Sequence, residues 1–307
     1  MTHRVYVMGG YIPHGGTYMA YHLGHILHLH FGYECFIVRC NEESPQNIFD
    51  YPMHYPIVDV AGMEKNIGKN DILIFNPSFS NHCFGLRLNC TKLMYIQGFN
   101  TYNVIDGFCD HYVCVSDFVQ KFIRMVYGFQ PSVIPAFIHS EKISPATPWA
   151  LRPANVILVS GKVYFKELVA RFKKHMQARH PDIRYELVIS NPLPHADFLN
   201  NLGRYRYFMT LSPCEGFGLM PLEAMAAGCA VIGFHGCGGT EFMMPGMDCQ
   251  VTGYPDLDGL VDQTADLLKH PEKAAQLSDH GRQNAQAYDY ASFEKRWVDF
   301  LSVKLNR

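Results

Sequence analysis

Short apolar runs alternate with longer amphipathic ones along nearly the whole chain. Arg4–Met8 is a strand-type run ended by Gly9-Gly10, and Gly15-Gly16-Thr17 opens a helical stretch to about His30. Cys35–Val38, Ile57–Val60, Ile72–Phe75, Leu93–Ile96 and Tyr112–Val115 are further runs of buried-strand type. Asp117–Tyr127 reads as a helix between an N-capping Ser116 and a terminating Gly128. Its Phe118, Phe122, Met125 and Val126 recur at spacings of three and four, the period of a helix. Pro145, Pro148 and Pro153 mark a hinge, after which the pattern restarts. Val156–Val159, Leu187–Ile189, Tyr207–Leu211 and Ala230–Phe234 read as strands. Phe165–Gln177, Phe198–Leu202 and Leu222–Ala227 read as helices. From Leu257 to Leu301 the pattern is helical, with breaks near His270-Pro271 and Tyr288–Tyr290. Two successive β–α blocks predict an α/β fold: two Rossmann-like, doubly wound parallel-sheet domains facing a cleft. The expected boundaries are 1–147 and 148–288, with a last segment 289–307.

Composition narrows the class. The 307 residues suit two domains, and 48% hydrophobic content suits buried cores. The formal net charge of −2 offers no basic field, so nucleic acid is not an expected partner. No apolar run approaches the roughly 18 residues of a membrane-spanning helix. The N-terminus lacks the long apolar core of a signal peptide, and ten cysteines show no CxxC pairing. A reducing, cytoplasmic setting is the expectation. The chain is poor in charge but rich in Tyr, Phe and His.

The chemistry concentrates in residues 212–228, which follow a strand and open a helix. Two glycines let the backbone approach a ligand, and free N–H groups at the helix start favour an anion. Glu215 lies in the loop, and Glu223 lies eight positions on, about one turn into the helix. Carboxylates accept paired hydrogen bonds from vicinal hydroxyls. Two of them beside an anion-binding helix end suit a sugar and a ribose flanking a diphosphate.

The string EGFGLMPLEAMAAG, with its Glu215-x7-Glu223 spacing, resembles the signature of retaining GT-B glycosyltransferases of family 4. Val231-Ile232-Gly233 and Gly238-Gly239-Thr240-Glu241 resemble the family's next strand and turn. Val159-Ser160-Gly161-Lys162 with Lys166 is similar to its basic loop, and Gly15-Gly16 to its first glycine-rich loop. Val115–Phe118 and Val133–Ala136 resemble segments closing the first domain. Residues 289–307 resemble the final helix that crosses back to that domain. The resemblance implies that Glu215 binds donor-sugar hydroxyls and Glu223 the ribose hydroxyls. Phe217, Gly218 and Leu219 would offer backbone N–H groups to the sugar and diphosphate. Lys162 and Lys166 would neutralise the diphosphate, with Lys162 in place of the family's arginine and without its bidentate geometry. Gly16 would approach the donor phosphate or the acceptor, and backbone near Ser190 and Asn191 the base. Where the family often has a histidine, this chain has Gln97, which can hydrogen-bond but cannot act as a general base. The implied reaction moves a sugar with retention from a nucleotide sugar, UDP- or GDP-linked, to a saccharide or lipid-linked acceptor. It needs no metal and no cofactor. Polysaccharide or glycoconjugate assembly is the implied setting, with peripheral membrane contact as one option. A GT-B epimerase or a silent nucleotide-sugar-binding module are the alternatives.

Other constellations carry weaker signals. Asp256-Leu257-Asp258 matches a DxD string but reads as a helix N-cap after Tyr254-Pro255. His22, His25 and His28 recur every third residue, but no cysteine or acidic partner stands at zinc-ligand spacing, so partly buried histidines at the interdomain cleft are expected rather than a zinc site. His14, beside Gly15-Gly16, and His82 are candidate contacts to an acceptor or a phosphate. Arg171, Lys173, Lys174, Arg179 and His180 make one helix basic, either as a solvated face or as a contact to anionic lipid.

Overall fold

The computed structural model describes residues 3–40, 49–99, 104–143, 147–159, 166–190 and 194–305. They form two units, Met1–Phe137 with Ala291–Arg307, and Ile138–Tyr290. Residues 138–143 therefore go with the second unit, where the Ile138 N–H donates to the Tyr288 carbonyl at 2.9 Å.

In the first unit the described elements are β1 (Arg4–Met8), α1 (Gly15–Phe31), β2 (Glu34–Arg39), β3 (Ile57–Asp59), α2 (Val60–Asn66), β4 (Ile72–Phe75), α3 (Phe84–Arg87), β5 (Thr91–Ile96), β6 (His111–Cys114), α4 (Asp117–Tyr127) and β7 (Ser132–Val133). The strands form one parallel sheet in the order β3-β2-β1-β4-β5-β6-β7. The order reverses beside β1, the switch point where doubly wound sheets bind ligands at their carboxyl ends. α4 starts at Ser116, whose side chain accepts from the Val119 N–H at 3.3 Å, and stops at a left-handed Gly128. Val119 and Ile123 are sealed, Phe118 and Phe122 pack at the flank on Phe99, and Met125 is 78% exposed. The edge strand β7 has two residues.

In the second unit the elements are β8 (Val156–Val159), α5 (Lys166–Arg179), β9 (Glu186–Ile189), α6 (His195–Leu202), β10 (Tyr207–Thr210), α7 (Leu219–Ala226), β11 (Ala230–Phe234), β12 (Gln250–Thr252), α8 (Leu257–Lys269) and α9 (Pro271–Ala285). The sheet is parallel in the order β12-β11-β10-β8-β9. Every residue of β10 and β11 is buried, as expected for central strands covered by helices on both faces. Ile157, Val159, Phe172, Met176, Tyr207, Met209 and Ile232 anchor this core. Fully burying one such side chain contributes about 1.5–3 kcal/mol.

The last helix, α10 (Tyr290–Lys304), packs on the first unit. Trp297 meets Tyr95 edge-on at 5.2 Å, and Phe293 meets Phe137 at 4.8 Å. Among the described residues no helix is long and apolar enough to cross a membrane.

Candidate functional site

The loop after β10 is held by backbone. The Glu215 N–H donates to the Gly236 carbonyl at 2.7 Å, and the Glu215 carbonyl accepts from the Gly238 N–H at 3.0 Å. Residues 236–238 thus run beside Glu215 like a one-residue strand pair. Only glycine fits at 238, because an added Cβ would lie 2.1 Å from the Gly216 carbonyl oxygen. Cys237 sits at φ 66°, ψ −68°, a conformation costing about 1–3 kcal/mol for a side-chain-bearing residue. Two bonds hold it there: its N–H donates to His235 Nδ1 at 3.0 Å, and the Thr240 hydroxyl donates to its carbonyl at 2.7 Å. Burial lowers the His235 pKa, which keeps Nδ1 free to accept. Burial also raises the Cys237 thiol, with nearby Cys214 as a smaller cause, so the thiol stays protonated. On the side chain, Ser212 Oγ lies 2.8 Å from Glu215 Oε1 and orients the carboxylate.

The turn into α7 needs Gly218, whose φ of 101° lies in the left-handed region. Phe217 is buried beneath it, 5.2 Å from Phe242 and 5.7 Å from Tyr288 between ring centroids. Gly218 and Leu219 stay half-buried, so the first-turn N–H groups of α7 border accessible space. α7 is otherwise apolar, and Glu223 is its charged residue. Glu223 is 4% exposed, and its Oε1 lies 2.6 Å from His195 Nε2. The second carboxylate oxygen has no hydrogen bond to any described residue. One strand–loop–helix therefore unites Glu215, Phe217, Gly218, Leu219 and Glu223. Sequence reasoning missed His195, which lies far from Glu223 along the chain. A histidine at the start of a short helix was the available signal.

Lys166 is exposed as the first residue of α5. Ser190 is buried after β9, with its N–H donating to the Val159 carbonyl at 2.9 Å. Lys162 and Asn191 lie outside the described residues.

The first unit brings Gln97 and Gly16 together. Gln97 follows β5, and its Nε2 donates to the Gly16 carbonyl at 2.7 Å. His14 caps α1, its Nδ1 accepting from the Gly16 N–H at 3.0 Å. A Cβ on Gly16 would meet His14 Nδ1 at 3.0 Å and Gln97 Oε1 at 3.1 Å. Both backbone groups of Gly16 are thus held by side chains.

His25 Nδ1 meets the Tyr55 hydroxyl at 2.6 Å, and His28 Nδ1 meets the Tyr33 carbonyl at 2.8 Å. His22 and His25 are buried among tyrosines of the first unit. His82 stacks on Phe84 at 5.2 Å. Among the described residues no group of three or more His, Cys, Asp or Glu could hold a metal ion. Asp256 caps α8, accepting from the Gly259 N–H at 2.9 Å. Of the basic residues on and just after α5, Arg179 and His180 pair with Asp262, and His175 pairs with Asp258 on α8, while Arg171, Lys173 and Lys174 are exposed.

Residues 149–284, within the second unit, match the family model Glycosyl transferases group 1. No curated protein matches the chain significantly in sequence. Among solved structures, sucrose-phosphate synthase from Thermosynechococcus elongatus superposes with a TM-score of 0.73 at 12% identity, covering 99% of each chain. HepE from Anabaena in complex with UDP and glucose gives 0.72 at 13% identity, covering 98% of this chain and 100% of that one. A glycosyltransferase from Rickettsia africae gives 0.69 at 14% identity, covering 99% of each. The fold is α/β, with two parallel sheets and GT-B glycosyltransferase neighbours.

Proposed function

We propose that this protein transfers a sugar from a nucleoside-diphosphate sugar to an acceptor hydroxyl with retention of configuration. The observation that carries this reading is the Glu215–Glu223 loop. It offers a carboxylate oriented by Ser212, a half-buried helix start and a second carboxylate with one open oxygen. A sugar, a diphosphate and a ribose require acceptors and N–H donors in that sequence. HepE of the same fold is described in complex with UDP and glucose, which supports a UDP-sugar donor.

In the proposed step the acceptor oxygen forms a bond to the anomeric carbon as the bond from that carbon to the diphosphate oxygen breaks. The acceptor proton passes to the departing diphosphate oxygen. Leaving-group charge is met by the N–H groups at the start of α7 and by Lys166 and Lys162, so the step calls for no protein nucleophile and no metal. Gln97 and His14 border the acceptor. The acceptor is a saccharide or a lipid-linked saccharide, and the reaction runs in the cytoplasm, with exposed Arg171, Lys173 and Lys174 available to an anionic membrane surface.

The test is a panel of UDP-, GDP-, ADP-, dTDP- and CMP-sugars, with and without a chelator. The anomer of the product is read by NMR. Chelator-insensitive transfer with retention is expected. An inverted product or loss of activity on chelation would sink the corresponding part. Tight donor binding without turnover on any acceptor would favour a silent binding module.

A further inference from the structure

His195 opens α6 directly after Pro194 and reaches Glu223 on α7, Nε2 to Oε1, at 2.6 Å. The two side chains are 17% and 6% exposed. A carboxylate oxygen only accepts, so Nε2 carries the proton in this bond. The contact fixes the plane of the carboxylate, since α7 is otherwise apolar and holds no polar partner for it. Oε2 makes no hydrogen bond to a described residue, yet it is not sealed from solvent. Oε1 retains a second lone pair, so the carboxylate can still accept both hydroxyls of a diol.

We infer that His195 is a positioning residue for the ribose of the donor nucleotide. It holds Glu223 so that the open edge of the carboxylate faces the vicinal hydroxyls. This rests on the reading of Glu223 as the ribose contact. Without His195 the carboxylate loses its fixed orientation, and hydroxyl recognition weakens while the diphosphate contacts at the start of α7 persist.

The test is calorimetric binding of UDP, GDP and ADP, and of their 2′,3′-dideoxy forms, to the wild-type protein and to His195→Ala, His195→Gln and Glu223→Gln. For the best-binding nucleotide, His195→Ala should lower affinity about tenfold and shrink the ribose-to-dideoxy affinity ratio by a similar factor. The glutamine variant keeps an N–H donor near the Nε2 position and should restore most of that ratio. In the Glu223→Gln background, adding His195→Ala should change the ratio little, because the two act as one unit. A folded His195→Ala protein with an unchanged ratio would overturn the assignment. So would equal losses in both backgrounds, which mark a merely structural role. If His195→Ala fails to fold, a His195→Gln protein with the dideoxy ratio lost would also overturn it. If the wild-type protein binds none of the three nucleotides, the reading of Glu223 falls, and the assignment with it.

Discussion

The loop around Glu215 and the loop around Gly16 both follow parallel strands, yet they are built in opposite ways. The first is held by backbone: Glu215 is clamped to Gly236 and Gly238 at 2.7 and 3.0 Å, and glycine is the one residue that fits at 238. The second is held by side chains: Gln97 and His14 grip the two backbone groups of Gly16. Behind it, Tyr11 accepts from the Tyr55 N–H at 2.7 Å, Tyr21 donates to the Met53 carbonyl at 2.6 Å, and Tyr18 donates to the Asp50 carbonyl at 3.2 Å. A backbone-built loop dictates its sequence, because few residues satisfy it. A side-chain-built loop admits many sequences.

The largest expected effect tests the backbone clamp. Gly238→Ala should destabilise the second unit by about 3 kcal/mol, since backbone rather than a movable side chain blocks the new methyl. Nucleotide binding should be lost with it. Chemical denaturation with an unchanged midpoint would show the clamp to be soft.

Next, Glu215→Ala should lower turnover about a hundredfold while changing nucleotide affinity far less. Glu223→Ala should do the reverse. Steady-state kinetics beside nucleotide titration separates the two, and equal effects on both quantities would erase the division between sugar and ribose contacts.

Gln97→Ala removes the hold on the Gly16 carbonyl. An approximately tenfold rise in the acceptor KM is expected, with nucleotide affinity untouched. A change confined to the donor KM would place this loop on the wrong substrate.

The smallest effect is in pH. Burial lowers the His25 pKa in the tyrosine cluster, and burial likewise lowers His111 in the same unit and His139 and His235 in the other. A histidine with a depressed native pKa binds its proton more readily unfolded. Its contribution is present above the ordinary value of about 6.5 and is lost as pH falls from there towards the native pKa. The thermal midpoint should therefore drop on acidification below about pH 6.5, and His25→Gln should flatten that slope slightly. A slope unchanged by the substitution would remove His25 from the account.

Much of the fold was legible in the residue pattern. Parallel strands buried on both faces must be continuous apolar runs, and β1, β4, β8, β10 and β11 are such runs. Short edge strands escaped notice: β7 and β12 have two and three residues, too few for a periodic signal. The helix Val60–Asn66 was hidden in the end of a strand-type run, where Asp59 caps it by accepting from the Gly62 N–H at 2.6 Å. On α4 the periodicity marked the helix, while which of its apolar residues are sealed is seen only in the fold: Val119 and Ile123 are buried, and Met125 and Val126 are exposed.

By itself, the sequence determined the two β–α blocks and the glycine-rich Glu215–Glu223 loop, because glycines and carboxylates at fixed spacing answer to local backbone geometry. The tertiary structure alone decided the partners of those residues. His195 and Glu223 lie on different helices, and their meeting depends on how α6 packs on α7. Gln97 and Gly16 come from different strands' ends, and their bond depends on the sheet order that sets β5 near β1. Such contacts join residues far apart along the chain, so no local spacing encodes them.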